Sequence, residues 1–575
     1  MKENEQLQQK RHSLAHLLAA AVLELYPDAK RAIGPAIENG FYYDFDDIKI
    51  ADENLSKIEK KMREILPSWK EFRKKEITAD EAKKLFADNP YKLELIDEYE
   101  KEGLTTYTSG NYVDLCRGGH SIDIDPTAFK LTHIAGAYWR GSEKNKMLTR
   151  IYGVAFDTKK ELDEYLAMIE EAKKRDHKVL GPKLDLFVFS DLVGSGLPLW
   201  TPRGTLLRNI LDDFVWELRR ARGYERVEIP HITKKELFIK SGHWDKFKDE
   251  LFRIKTREGH EFAMKPMNCP HHIQIYARRQ WSYRELPQRY ANTTMCYRDE
   301  QSGELSGLSR TRSFAQDDAH VFCRMDQAKE EFLKVWDIVH EFYRAFGFSL
   351  RVRLSLHDPA HMDKYLGEPA LWKQAENILR EIVEEKNTDF FKGIGEAAFY
   401  GPKLDFMAMD SIGREWQVAT IQLDLNLPER FELYCVNDAG EHERIIMIHA
   451  AIMGSIERFL SIAIEHFAGA FPLWLSPAQV AVLPISEKHT DEAQKIVDQL
   501  RETEIRVELH NQNESIGKKI RGAEIMKIPY LVILGDKEIE AKKIAVRQRG
   551  KGDVGQQDLD KFIEKLKLEI KTKAL

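Results

Sequence analysis

No run of about twenty consecutive apolar residues occurs in the chain, which excludes a membrane-spanning helix and leaves no membrane partner to expect. Cysteine is scarce: five, at 116, 269, 296, 323 and 435, widely scattered and without a CxxC pair. An odd, dispersed set is no disulfide framework and points to a reducing, cytoplasmic setting. A surplus of positive charge is missing too. Lys and Arg number 88 against 94 Asp and Glu, a formal charge of −6, so the whole-chain footprint of a nonspecific nucleic-acid binder is absent. Local Lys/Arg stripes can still serve RNA within an acidic total. Internal repeats and low-complexity tracts are absent, and the polar start MKENEQLQQKRH is not a signal peptide.

What is present is material for several cores. At 575 residues, with 43% hydrophobic and 32% charged residues, about three or four domains are expected. A first block, 1–155, opens with the helix-like HSLAHLLAAAVLELY. Residues 156–180 read as a linker: DTKKELDEYLAMIEEAKKRDHKV has apolar residues at helical spacing and charges elsewhere, as in a solvated connecting helix ended by GPK at 181–183. In the middle block, 181–472, Leu206, Ile210, Phe214 and Leu218 follow i, i+4 steps. They predict a helix core face, with a dimer contact as the alternative, before a strand ending at Pro230. In the last block, 473–575, VAVLPI, RVELH, YLVILG and KIAVRQR read as strands between charged helices, a small and mostly parallel α/β domain.

The densest stretch is CYRDEQSGELSGLSRTRSFAQDDAH, 296–320, with three arginines and five acids. TTMCYRDE and RTRSFAQDDAHVF read as strands joined by the loop 301–309. Alternation places Arg298 with Glu300, Arg310 with Arg312, and Gln316 with Asp318 and His320 on common faces. Arginine presents a planar fork to phosphate and stays charged, so a ligand carrying phosphate and amine would suit. On charge pattern alone a solvated, ion-paired hairpin explains the stretch better. Downstream, GSIERFLSIAIEHF is an amphipathic helix with Arg458 in its first turns.

Two groups of metal-binding residue types also stand out. Cys269, His320 and His449 share no short ligand motif, and by spacing each reads as an ordinary core or surface residue. His12 and His16 in HSLAH lie at i, i+4, and VDLCRGGH sets Cys116 four residues from His120. By residue type these four fit a four-ligand zinc site, and without other information zinc is the favoured reading.

Taken in order, the helix–strand–Pro segment at 204–231, the strand–RDE–loop–strand and the G-x-x-x-R helix resemble the three motifs of the class II aminoacyl-tRNA synthetases. KPMNCP, FAQDDAH, FYGPKLDF and IQLDLNLP resemble the threonyl-tRNA synthetases among them, over the chain from His12 onward. The resemblance implies a multidomain α+β and α/β fold. An N-terminal α+β editing domain would lie at 1–155 and a linker helix at 156–180. A class II antiparallel-sheet catalytic core with helices would fill 181–472, and an α/β anticodon-binding domain 473–575. It also implies ATP-dependent ligation of L-threonine to tRNA(Thr) through a threonyl-adenylate, in a cytoplasmic homodimer formed through 204–231.

By the same resemblance Arg298 grips the α-phosphate and Glu300 contacts adenine. Arg310 and Arg458 reach the outer phosphates and ribose side of ATP, which carries Mg²⁺. Arg298, Glu300 and Arg458 are thus the expected catalytic residues. Met267, Tyr400, Lys403, Gln417, Thr420, Gln422 and Ser455 would line the nucleotide or amino-acid pocket, with Gln316 and Asp318 facing threonine. A single Zn²⁺ per chain would sit on Cys269, His320 and His449. Valine is nearly isosteric with threonine, which an apolar pocket separates poorly, whereas a zinc that takes amine and hydroxyl rejects valine. Serine lacks only one methyl, about 1–3 kcal/mol, so a second, hydrolytic site is expected, as is known for this class of enzyme. The HxxxH and CxxxH pair resembles that editing pocket: His12, His16, Cys116 and His120 with Lys92 and Asp114, free of metal and hydrolysing seryl-tRNA. Asn513, Lys527, Glu538 and Arg547 are implied anticodon contacts, while Lys518 and Lys519 read as solvated surface charges.

The sequence departs from the family pattern in places. A small ubiquitin-like domain commonly precedes HSLAH in the family and is expected to be absent here. MNCPHH replaces the usual MNCPGH, making His271 a further potential ligand or, better, a pocket wall, and MIHAA replaces MIHRA at Ala450. The rivals are a prolyl enzyme, a synthetase-like RNA-binding regulator without aminoacylation activity, and a zinc hydrolase centred on the N-terminal cluster. Amino-acid-dependent ATP–pyrophosphate exchange separates them.

Overall fold

The computed structural model describes residues 5–142 and 144–575. The chain divides into two compact units, Met1–Glu170 and Glu171–Leu575. Among the described residues no helix is long and apolar enough to cross a membrane.

The first unit is α+β. Its opening helix, Glu5–Leu25, is buried along its middle, where Leu14, Leu17, Leu18 and Val22 pack on Phe41, Tyr43 and Phe45 of the strand Gly40–Asp46. That strand lies in a sheet with Met147–Ala155 and then Phe129–Tyr138, all antiparallel. Helix Leu55–Ile65 adds Leu55, Ile58 and Met62 to the same core. A second antiparallel sheet of Arg73–Ile77, Leu104–Ser109 and Tyr112–Leu115 brings Asp114 and Cys116 towards the histidines of the opening helix.

The second unit is built on an eight-stranded sheet. Its order is Glu225–Arg226, Gln288–Tyr297, Ser313–Cys323, Ile446–Ser455, Glu415–Asp424, Lys403–Met409, Ser349–Leu356 and Phe390–Ile394. Only the outermost pair at each edge is parallel. Helices Pro202–Arg220, Ala328–Arg344, Pro369–Glu385 and Ile456–His466 bury apolar residues in a common core with it. The C-terminal sheet has five strands, ordered Val507–Leu509, Val480–Pro484, Tyr530–Leu534, Ile544–Gln548 and Gly552–Gln557.

Several details differ from the expectations. The linker is not one solvated helix. Lys159–Arg175 ends before Asp176, which is non-helical and whose side chain caps a new helix, His177–Lys183, that contains the GPK residues. The break exists because His177 is buried against Glu465 of Ile456–His466. On Pro202–Arg220 the core face runs through Leu207, Leu211, Phe214, Val215 and Leu218, leaving Leu206 and Ile210 half-buried. The chain to Pro230 is a strand only at Glu225–Arg226. The C-terminal sheet is mixed, because Ile544–Gln548 and Gly552–Gln557 return antiparallel.

Candidate active sites

Arg298, Glu300, Arg310 and Arg312 do not lie on strand faces as alternation predicts. The ladder between Gln288–Tyr297 and Ser313–Cys323 closes at Tyr297 opposite Ser313, and all four residues belong to the connection beyond it. Gln316, Asp318 and His320 do lie on the second strand, which bulges between Gln316 and Asp318 against Ile446–Ser455. Asp317 explains the bulge. Its fully buried carboxylate turns into the neighbouring strand and accepts the Ile452 and Met453 N–H groups at 2.9 and 3.1 Å. Burial pushes its pKa up to about 7 although Arg219 lies 3.3 Å away.

Beside this bulge is a cavity of about 400 Å³ whose lining includes Arg298, Glu300, Arg310, Gln316, Gln417, Thr420, Ser455 and Arg458. The Arg298 guanidinium lies over the rings of Phe247 and Phe314, 5.3 Å from each, and its buried Nε is unbonded. Arg310 donates to Glu300 at 2.7 Å and to Glu304 at 3.1 Å. Arg458 is exposed in the first turn of Ile456–His466, whose N-cap is Ser455. Gln417 is clamped: its Nε2 donates to Asp405 at 2.8 Å and its Oε1 accepts from Arg353 at 2.7 Å. Buried Thr420 Oγ1 has no partner. Three guanidinium groups, an unpaired hydroxyl and a helix N-terminus make a receptor for a polyanion.

Cys269, His320 and His449 come from three separate elements. Cys269 opens the helix Cys269–Tyr276, and His320 faces His449 across neighbouring strands, with His320 Nε2 3.0 Å from His449 Nδ1. One donor atom from each lies within 4.8 Å of the others, and all three residues are buried. Burial raises the Cys269 thiol pKa and lowers that of His320, so in the bare protein both are neutral. Behind His449, Asp424 Oδ2 lies 2.9 Å from Nε2. One thiol, two imidazoles and a carboxylate orienting one imidazole fit a zinc ion well.

Other predicted residues surround this group. The Tyr400 ring stacks on His449 with centroids 4.7 Å apart, and its hydroxyl donates to Gln422. Asp318 accepts from Asn268 Nδ2 at 3.2 Å, and half-buried Met267 packs in the cluster around Cys269. Lys403 is held by Asp405 at 3.0 Å. His271 is buried with neither ring nitrogen bonded and is not one of the three converging residues. Sequence reasoning missed His243, 3.5 Å from the Cys269 sulfur, His272, 2.7 Å from His320 Nδ1, and Asp424. Only IQLDLNLP and the doubled histidine of MNCPHH offered a signal for the last two.

In the first unit His12, His16, Cys116 and His120 also converge, their donor atoms within 4.8 Å. Cys116 Sγ lies 3.3 Å from His120 Nε2 and 3.6 Å from His12 Nε2, and His12 Nε2 lies 3.3 Å from His16 Nε2. Lys92, buried, donates to Asp114 at 2.7 Å, and the hydroxyls of Tyr43 and Tyr112 also donate to Asp114. Burial alone would raise the Asp114 pKa. The charges of Lys92 and Arg31, with His16, instead hold it well below the ordinary carboxylate range. Burial keeps the imidazoles neutral, pushing His120 down to about 3, and lifts the Cys116 thiol to about 11. An adjoining cavity of about 490 Å³ is lined by His12, His16, Lys92, Asp114 and Cys116 and by Trp139 and Arg140.

The four expected RNA contacts are each engaged differently. Asn513 is exposed ahead of the helix Ile516–Ile525, and Lys527 follows that helix with φ 58°. Glu538 accepts from Gly535 N–H and Gln556, and Arg547 lies 3.9 Å from Glu524. Lys518 is exposed as expected, but Lys519 is not a surface charge. It is buried and donates to the Pro484 carbonyl at 2.8 Å, because its position faces the sheet.

Residues 252–467 match the tRNA synthetase class II core domain (G, H, P, S and T), and 479–569 match the anticodon binding domain. The threonine–tRNA ligase of Porphyromonas gingivalis is 49% identical over 568 residues, covering 97% of this chain and 87% of that protein. That of Bacteroides fragilis is 50% identical, covering 97% and 88%. The crystal structure of the RNA binding domain of threonyl-tRNA synthetase from Cryptosporidium parvum superposes with a TM-score of 0.65 at 37% identity, over 68% of this chain and 98% of that one.

Proposed function

This chain belongs to the threonine–tRNA ligase family and so joins L-threonine to transfer RNA with ATP, and from that premise we propose how its own residues perform and police the reaction. The threonine carboxylate attacks the α-phosphorus of ATP. A bond forms between carboxylate oxygen and phosphorus, the bond to the β-phosphate bridge breaks, and pyrophosphate leaves. The terminal ribose hydroxyl of tRNA then attacks the activated carbonyl and releases AMP. Arg298 holds the α-phosphate, Arg310 and Arg458 the outer phosphates, and Glu300 orients Arg310 while contacting adenine. Such positioning and charge neutralisation supply most of the rate in phosphoryl chemistry. Mg²⁺ bound with ATP would add to that neutralisation. Gln417, fixed by Asp405 and Arg353, presents a preset amide to the cavity.

Cys269, His320 and His449 would hold a zinc ion. When bound, it supplies a Lewis-acidic site for the amine and hydroxyl of threonine that valine cannot satisfy. Asp424 and His272 orient the two imidazoles, and Tyr400, Gln422 and Asp318 shape the surrounding pocket. In the first unit, neutral His12, His16 and His120 position a water for hydrolysis of seryl-tRNA beside Cys116, with Lys92 and Asp114 as the charged floor. Asn513, Lys527, Glu538 and Arg547 read unstacked anticodon bases. A homodimer is supported by exposed apolar side chains close before the Pro202–Arg220 helix: Phe189, Leu192, Val193 and Leu199, with Leu192 100% exposed. A cytoplasmic setting accords with five free cysteines.

The observation that carries this reading is the convergence of Cys269, from the helix Cys269–Tyr276, on His320 and His449 of the sheet whose strands also line the arginine cavity. The test is ATP–pyrophosphate exchange with purified protein. Threonine supports exchange and valine does not; exchange with proline, or with no amino acid, would overturn the reading.

A further inference from the structure

We propose that His177 is a positioning residue for the nucleotide cavity, latching the connection that carries Arg310. The proposal rests on the assignment of that cavity to ATP. His177 comes from the segment expected to be a solvated linker, yet it is buried inside the second unit and tied on both ring nitrogens. Its Nδ1 lies 2.7 Å from Glu465 Oε1, which also accepts the His177 backbone N–H at 3.2 Å. A carboxylate at that distance fixes the proton on Nδ1, leaving the Nε2 lone pair as an acceptor. The Leu308 N–H fills it at 3.0 Å, two residues before Arg310.

The surroundings show that this contact is built. Gly307 adopts φ +52°, and a Cβ there would sit 2.3 Å from His177 Nε2, so only glycine lets the chain pass the ring. Leu308 is 1% exposed and belongs to the central core. Ser309 Oγ lies 3.0 Å from Ser461 Oγ, which donates to the Arg458 carbonyl at 2.7 Å. Glu465 sits on the helix that begins beside Arg458 and is also paired with Arg414 at 2.7 Å. The same helix thus bears a phosphate-facing arginine at one end and, through His177, holds the loop of a second arginine from the other.

Two near-isosteric substitutions separate the halves of the latch. His177→Gln keeps an acceptor near the Nε2 position. His177→Asn keeps a donor near Nδ1 and loses that acceptor. In neither variant is Glu465 left bare, since Arg414 and the residue 177 backbone remain. The expected result is an ATP KM raised about tenfold in His177→Asn, the weight of one hydrogen bond, with threonine KM and kcat near wild type. His177→Gln stays within about twofold of wild type. Melting temperatures of the two variants should match each other. Calorimetric titration with ATP repeats the comparison without turnover, so loss of exchange in wild type would sink the ligase reading while the latch is still judged. Equal ATP affinity in all three proteins overturns the latch. Equal losses in both variants that spread to threonine KM and kcat do so as well, since they mark a merely structural residue.

Discussion

The Cys269, His320, His449 group and the His12, His16, Cys116, His120 group use the same two residue types at the same closeness, and their surroundings give them opposite characters. In the second unit the nearest acidic neighbour of the imidazoles is Asp424, 2.9 Å from His449. Negative charge there makes the imidazole a better donor to a cation. In the first unit the nearest carboxylate, Asp114, is already occupied by Lys92 at 2.7 Å, by two tyrosine hydroxyls and by Arg31 at 3.5 Å. The Lys92 and Arg31 side chains beside the cluster oppose another cation, and a cavity lies next to it. On the roles proposed above, ligand geometry does not separate the two groups, and the charge one layer further out does.

Removing a ligand breaks this comparison most sharply. In Cys269→Ala, bound zinc should fall from about one per chain to near none, and threonine-dependent exchange should drop more than about a hundredfold. Elemental analysis beside an exchange assay checks it; zinc retained in full would move the metal to the N-terminal group. His12→Ala is the mirror case. Deacylation of seryl-tRNA should slow about a hundredfold or more while zinc content and exchange stay at wild-type levels. Loss of zinc from that variant would make the two clusters alike after all. Asp424→Asn sharpens the contrast with the smallest change, removing one charge behind His449. Zinc affinity, measured by chelator competition, should weaken about 10–100-fold with the fold intact. An unchanged affinity would mean that the outer charge does not set the difference.

Legibility in the sequence was uneven, for physical reasons. The opening helix and the Arg458 helix were visible as helices, but their burial follows no single face, since 13–22 of one and 459–465 of the other are buried continuously. The arginines and acids of 296–320 were visible as a concentration, but alternation misplaced Arg298 and Glu300, since where a ladder ends depends on its partner strand. On Pro202–Arg220, Phe214 and Leu218 face the core as expected, but at the first two steps Leu207 and Leu211 replace Leu206 and Ile210, a shift that periodicity cannot correct without knowing which side meets the sheet. His177 and Lys519 looked solvated because their neighbours in sequence are charged. Each is buried by an element far away in the chain, Glu465 for one and Pro484 for the other.

By itself the sequence determined which chemistries were available: the arginines, the two sets of histidine and cysteine, a chain without membrane helices, and motifs specific enough to name a family. Those are properties of residue type and local spacing. Only the tertiary structure decided which distant residues meet. Asp424 behind His449, Lys92 beneath Asp114 and His177 against Leu308 are separated by 25, 22 and 131 residues. Long-range contacts set the local charge and the orientation of each side chain, and these in turn set what the same imidazole can do.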